Sequence, residues 1–265
     1  MRSILAAAVL TLLSCPAFAQ SYLWTGFYAG LHLGGMTVPG TQFTGSNLAT
    51  PGAPAGSAAF AAETAQNLTG STSDSARVMG GAQIGYNWRI NQAFVAGIET
   101  DISKVSRHAD ILTRNQPFAG FPGFTVNSGL TSPNYLEYLG TVRARFGYVV
   151  AEPLLLYLTG GLAYGQTDST TQFIATSPGT ALTPPTGTFG GRSVRAGYTV
   201  GGGLEYAVYR NVSLKAEGLF YDMGSTTDQT VFNSFSAGVF VSTTGVSRTT
   251  NLNGVIARVG VNCLF

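Results

Sequence analysis

Residue types that do chemistry are sparse in this chain. The histidines are His32 and His108, which fall on different segments, and neither has a second ligand at metal-binding spacing. The acid pair Glu99 and Asp101 lies two residues apart, which puts both on one side of an extended strand. Gly201-Gly202-Gly203 could cradle a phosphate, but no Lys-Ser/Thr follows and an alternating pattern surrounds it. Glycines inside such a pattern serve curvature and close packing of interior side chains. No catalytic constellation, cofactor motif or metal site emerges, so the expectation is a protein that is not an enzyme. The charges that do recur are Arg89, Glu99, Asp101, Arg143, Arg145, Glu205, Lys215, Glu217 and Arg258. Each sits opposite an apolar face in an alternating segment, and the signs nearly balance. Gathered in one interior they would have to pair or hydrogen-bond.

The elements that must position them are strands. Eight segments alternate with period two: Trp24–Gly35, Arg77–Ile90, Phe94–Lys104, Glu137–Val150, Leu154–Thr167, Val194–Tyr209, Val212–Gly224 and Asn251–Phe265. Each reaches the roughly 9–11 residues that cross a bilayer as a tilted strand. In the fourth, Tyr138, Gly140, Val142, Ala144, Phe146, Tyr148 and Val150 share one face, and Thr141, Arg143, Arg145 and Gly147 share the other. The connections alternate as well. Asn91-Gln92-Ala93, Ala151-Glu152-Pro153 and Arg210-Asn211 are tight, while about 36–76, 105–136, 168–193 and 225–250 are long and rich in small and polar residues. The Ala- and Gly-rich piece Ala49–Ala65 falls inside the first of these and reads as loop rather than linker. Sorting of turns by parity is the layout of outer-membrane barrels, short turns in the periplasm and long loops outside.

Alternation alone does not separate a soluble β-protein from an inside-out barrel. The polar faces carry many glycines and few lysines, unlike a solvated surface, and the apolar faces end in aromatic rings. Trp88, Phe94, Tyr148, Tyr206 and Phe265 would lie near one rim, and Tyr138, Tyr198 and Phe220 near the other. From Tyr138 to Tyr148 is ten residues; at about 3.3 Å each and a tilt near 40°, that is about 25 Å along the membrane normal, the height of the apolar band. Aromatic rings belong at both headgroup levels. The predicted fold is therefore all-β: an eight-stranded antiparallel up-and-down transmembrane β-barrel with short periplasmic turns and four long extracellular loops. Closure is required because an open edge leaves backbone groups unsatisfied in hydrocarbon. Eight strands leave an interior that side chains fill, so the charges read as a polar plug, with a charge-lined conducting constriction as the alternative.

Composition agrees. Charged residues are 10% of the chain, glycine is 35 residues of 265, and the formal charge of +2 leaves no basic patch for nucleic acid. The apolar stretch Phe146 to Gly165 is broken by Glu152-Pro153 and Gly160-Gly161, so it is no membrane helix. Residues 1–19 have the layout of a secretory signal peptide: Arg2, an apolar run from Ile4 to Leu13, and Ala17-Phe18-Ala19 before Gln20. Cleavage between Ala19 and Gln20 would leave a barrel domain of residues 20–265, remove Cys15 and leave Cys263 alone, so that the fold needs no disulfide.

Two end motifs carry a resemblance. Trp24-Thr25-Gly26-Phe27-Tyr28-Ala29-Gly30 resembles the W-[ST]-G-F-Y-x-G opening of the small porin-like outer-membrane β-barrel proteins of alphaproteobacteria. Arg258-Val259-Gly260-Val261-Asn262-Cys263-Leu264-Phe265 is similar to their alternating, Phe-terminated last strand, and Gly85-Tyr86-Asn87-Trp88 and the strand order extend the match. The resemblance implies an OmpA/OmpX-like barrel in the bacterial outer membrane that supports the envelope and displays surface loops. It implies outer-membrane lipid and the barrel-assembly machinery as partners, with Phe265 part of the assembly signal. Some members are described as porins or as binding haem-type ligands, and no motif for such a ligand carries over to this chain. A passive diffusion porin and a loop-mediated adhesin or receptor for an unknown extracellular ligand are the competing functions.

Overall fold

The computed structural model describes residues 24–48, 62, 64–66, 68–106, 110–117, 125–132, 135–168, 170–176, 182–183, 186–236 and 239–265. The leader with Ala19 and Gln20, His108 and most of Ala49–Ala65 lie outside these residues. No helix among the described residues is long and apolar enough to cross a membrane, which says nothing about crossing by strands.

Eight long strands form a ring: β1 (Gly26–Val38), β2 (Ser75–Arg89), β3 (Phe94–Val105), β4 (Tyr135–Ala151), β5 (Leu154–Asp168), β6 (Arg192–Tyr209), β7 (Val212–Ser236) and β8 (Val239–Leu264). Each pairs antiparallel with the next, and β8 closes on β1, with Tyr28 opposite Leu264 and Met36 opposite Ile256. Every predicted strand falls inside one of these elements except at its ends. β1 starts at Gly26 rather than Trp24, because the chain before Gly26 turns inward. Side chains alternate as period two demands: Val142, Phe146 and Tyr148 point out of β4, while Arg143 and Arg145 point in and are buried.

The short turns are tied by side chains and by neighbouring strands. Asn91 Oδ1 accepts the Ala93 and Phe94 amides at 2.9 Å each. The Ala207 amide donates to the Pro153 carbonyl, and the Leu264 amide to the Asn211 carbonyl, both at 2.8 Å.

The long connections depart from the sequence reading, because much of their described length is strand. Residues 225–250 were expected to be loop, yet β7 and β8 run on as a paired ribbon to Ser236 and Val239. Thr, Val and Phe favour extended backbone there, but the segment has no continuous apolar face, so it lacks the alternation that reveals a strand. The ribbon leaves the ring at a register shift between Asp222 and Ser225, where Gly224 takes φ +80° and its amide donates to Asp222 Oδ1 at 2.8 Å. Thr41–Leu48 pairs with β8 beyond the ring, Gly70–Ser71 pairs with Thr41–Leu48, and Leu182–Thr183 pairs with β7. A separate four-stranded sheet joins Thr186–Phe189, Thr171–Thr176, Thr125–Ser132 and Asp110–Pro117.

Candidate functional site

The site is the interior of the ring. Glu99 and Asp101 project from β3, Arg143 and Arg145 from β4, Glu205 from β6, Lys215 and Glu217 from β7, and Arg258 from β8, all buried. Arg143 reaches across the ring to Glu217 (Nη1 to Oε2 3.2 Å), donates to Asp101 at 3.0 Å and also pairs with Glu99. Lys215 spans the other way, its Nζ 2.8 and 2.9 Å from the two Glu99 oxygens. Arg258 makes a bidentate contact with Asp101 at 3.0 and 2.9 Å and also donates to Glu217. Arg145 donates to Glu205 at 2.7 Å and to the Tyr28 hydroxyl at 3.0 Å, and it lies 4.0 Å over the Tyr157 ring. Four cations thus face four carboxylates, and uncharged donors fill in between. Tyr28 donates to Glu99 at 2.7 Å, Tyr157 to Glu217 at 3.0 Å and Asn262 to Glu205 at 2.9 Å. His32 joins through its Nε2, 3.3 Å from Arg258 Nη1, and also bonds the Ser103 hydroxyl at 2.7 Å.

The strand sequences make room for these groups. Every second residue points inward, and glycines occupy inward positions beside the bulkiest side chains. A Cβ on Gly85 would run into the Tyr28 ring, and one on Gly203 into Glu217 and the Tyr157 hydroxyl. Arg143 lies alongside Gly161, where a Cβ would meet its backbone and the Val142 carbonyl.

Of the charges read from sequence, eight meet in this network and Arg89 does not. It stands at the end of β2, at the mouth of the ring on the short-turn side, where it donates to the Asn91 and Gln92 carbonyls and to Glu152 (3.3 Å). Its parity is inward, but the strand ends before the interior begins.

The interior also holds apolar layers that the sequence reading did not name. At the long-connection end Met36, Val38, Met79, Val105, Leu136, Leu139, Ala163, Leu219, Tyr221, Met223, Leu252 and Ile256 form one buried cluster. At the short-turn end Trp24, Val95 and Leu155 form another, with Val149 against it. The signal was available: Leu139 has the parity of Arg143, and Leu219 that of Glu217. Inward apolar residues at strand ends are masked by the stronger outward alternation.

On the outside, Trp88, Phe94, Tyr148, Tyr198, Tyr206 and Phe220 are exposed, and Tyr138 is half-buried. Phe94 stands opposite Tyr148 in register, with ring centroids 5.6 Å apart, and Tyr198 lies 6.2 Å from Phe220. Phe27 and Tyr86, 4.6 Å apart, extend the short-turn rim. Phe265 is exposed, and its amide donates to the Phe27 carbonyl at 2.8 Å. Beyond the other rim, burial raises the Asp168 carboxyl pKa, but bonds from Thr170 and Arg192 outweigh it and hold the group below its usual range.

A closed antiparallel ring with an apolar exterior, aromatic edges and buried ion pairs defines a membrane-spanning strand protein. The chain belongs to the outer membrane protein beta-barrel domain family, which matches residues 5–242. It is 34% identical over 225 residues to the 31 kDa outer-membrane immunogenic protein of Brucella melitensis, covering 84% of this chain and 81% of the relative. It is 32% identical over 154 residues to the 22 kDa outer membrane protein of Rhizobium leguminosarum, covering 58% and 56%. Among solved structures it resembles OprG of Pseudomonas aeruginosa at 8% identity and TM-score 0.43, covering 93% of this chain and 100% of that one. The family and the Brucella and Rhizobium relatives make it an outer-membrane protein.

Proposed function

We propose that the protein is a structural, non-enzymatic eight-stranded barrel whose lumen is closed, with the short turns in the periplasm and the four long connections outside the cell. The observation that carries this reading is the charge-matched network across the ring, stacked between two apolar layers. An ion entering would have to break buried pairs that span the diameter, such as Lys215 with Glu99, and would then meet Leu139, Leu219 and Ile256 with nothing to solvate it. The function is then exerted by the wall and the outer segments. The wall anchors in lipid and contributes to envelope integrity. The β7–β8 ribbon and its neighbours present surface outside, in keeping with the name of the Brucella relatives as immunogenic proteins. Phe265, at the end of the closing strand, serves the barrel-assembly machinery.

Proteoliposomes test this by osmotic swelling. Vesicles containing the folded protein should swell in small sugars no faster than empty vesicles. Swelling that scales with protein content would establish the diffusion-porin reading instead.

A further inference from the structure

The opening motif, read above only as a likeness, has a physical task in the structure. Trp24 precedes β1, yet it contacts the opposite side of the ring. Its indole Nε1 donates to the Glu152 carbonyl at 3.2 Å, in the turn between β4 and β5, 128 residues away. Its ring is fully buried and packs with Val95 of β3 and Leu155 of β5. In a ring of eight, β5 lies diametrically across from β1, so this one side chain spans the mouth. The neighbouring residues build the bend that sends it there. Gly26 takes φ +141°, and a Cβ on it would sit 2.9 Å from the Phe265 carbonyl, so glycine alone fits. Thr25 Oγ1 accepts the Arg89 amide at 2.9 Å, which fixes the chain against β2. From that position Arg89 sends its guanidinium to the same residue, Glu152, at 3.3 Å. Phe27 turns outward to the aromatic rim, and Tyr28 turns inward to Glu99.

Above this crossing the lumen holds buried polar atoms without a protein partner, among them Asn87 Oδ1 and Arg145 Nε. Both residues pack against Gly97, where an added Cβ would run into Asn87 Oδ1 and the Arg145 side chain. These atoms make the lower lumen polar, above the apolar floor that Trp24, Val95 and Leu155 form.

We propose that Trp24 is the periplasmic stopper of the lumen: an indole, held by packing and by a hydrogen bond to the Glu152 carbonyl, that separates periplasmic water from the charge network. The proposal rests on the closed-lumen reading and adds where the periplasmic seal lies. The Arg89–Glu152 pair flanks it, but with side chains 17% and 73% exposed it is a surface contact that holds little by itself.

The test is thiol accessibility in the folded, reconstituted protein. A Cys263→Ser background receives either Val95→Cys, directly behind Trp24, or Leu219→Cys, in the apolar layer beyond the charge network. Each is combined with native Trp24, Trp24→Phe or Trp24→Ala, and folding is checked by heat-modifiable gel mobility. A charged maleimide is added from the face that carries the short turns. With native Trp24, both thiols should react slowly. Trp24→Ala should speed Val95→Cys labelling by about tenfold or more while Leu219→Cys stays slow, and Trp24→Phe should fall between. Equal Val95→Cys rates with Trp24 and with Ala at that position, fast or slow, overturn the stopper. Fast Leu219→Cys labelling with Trp24 in place overturns the closed lumen instead. Should Trp24→Ala fail to fold, the emission of Trp24 in a Trp88→Phe protein decides. Blue-shifted emission shielded from iodide supports the stopper, and a water-exposed spectrum removes it.

Discussion

Replacing Arg145 with alanine tests the interior most sharply. The guanidinium is buried on all sides. It supplies the only positive partner of Glu205 among the described ion pairs, at 2.7 Å, one donor to Tyr28 at 3.0 Å, and the face that packs 4.0 Å from the Tyr157 ring. Without it, Glu205 keeps only its neutral donors Ser213 and Asn262. Removing one member of a buried pair strands a charge at about 3–5 kcal/mol, and the emptied volume beside Gly97 adds to that. Urea unfolding in lipid vesicles should therefore show a midpoint well below the parent. The matched control is Arg145→Met with Glu205→Gln. It removes both charges and keeps most of the volume, so the double variant should be more stable than the single one. If the single variant loses less than about 1 kcal/mol, Arg145 faces mobile water and the filled interior is wrong. If this double variant loses as much as Arg145→Met alone and Glu205→Gln alone added together, the pair is not coupled.

On the proposed lipid face, Val142→Arg places a charge between the Tyr138 and Tyr148 rims and should cost about 2–4 kcal/mol in the same assay, against about 0.5 or less for Thr227→Arg on the outer ribbon. Gly203→Val drives methyl groups into Glu217 and the Tyr157 hydroxyl and should cost about 1–3 kcal/mol by overpacking, read from the same urea midpoint. Deleting Phe265 should lower the fraction of heat-modifiable, membrane-assembled protein, whereas deleting one residue from the Ala49–Ala65 segment should leave it near the parent level.

The strands of the ring were legible because the outer face alternates strictly, clean in Val142, Ala144, Phe146 and Tyr148. The inward charges followed from parity, and eight of nine meet in the interior; Arg89 fails because parity says which way a residue points and not how high it stands. Height also hid the apolar layers. Met36, Met79 and Leu219 lie on strands far apart in sequence, and only register brings them to one level. The outer ribbon was missed for a different reason. A two-stranded extension has no obligatory apolar face, so residues 225–250 read as polar loop while Thr and Val there favoured strand. The role of Trp24 was beyond sequence reading, since its partner is a backbone carbonyl 128 residues away.

The central claim is that the lumen is closed by its own side chains. Single-channel recording of the refolded protein in planar bilayers addresses it directly. No steady open conductance at moderate voltage, in the parent protein and equally after trimming of the outer connections, is the result expected. Stable open channels in the parent, with an ion selectivity that follows the charge at Arg145 while unfolding stability is unchanged, would contradict it.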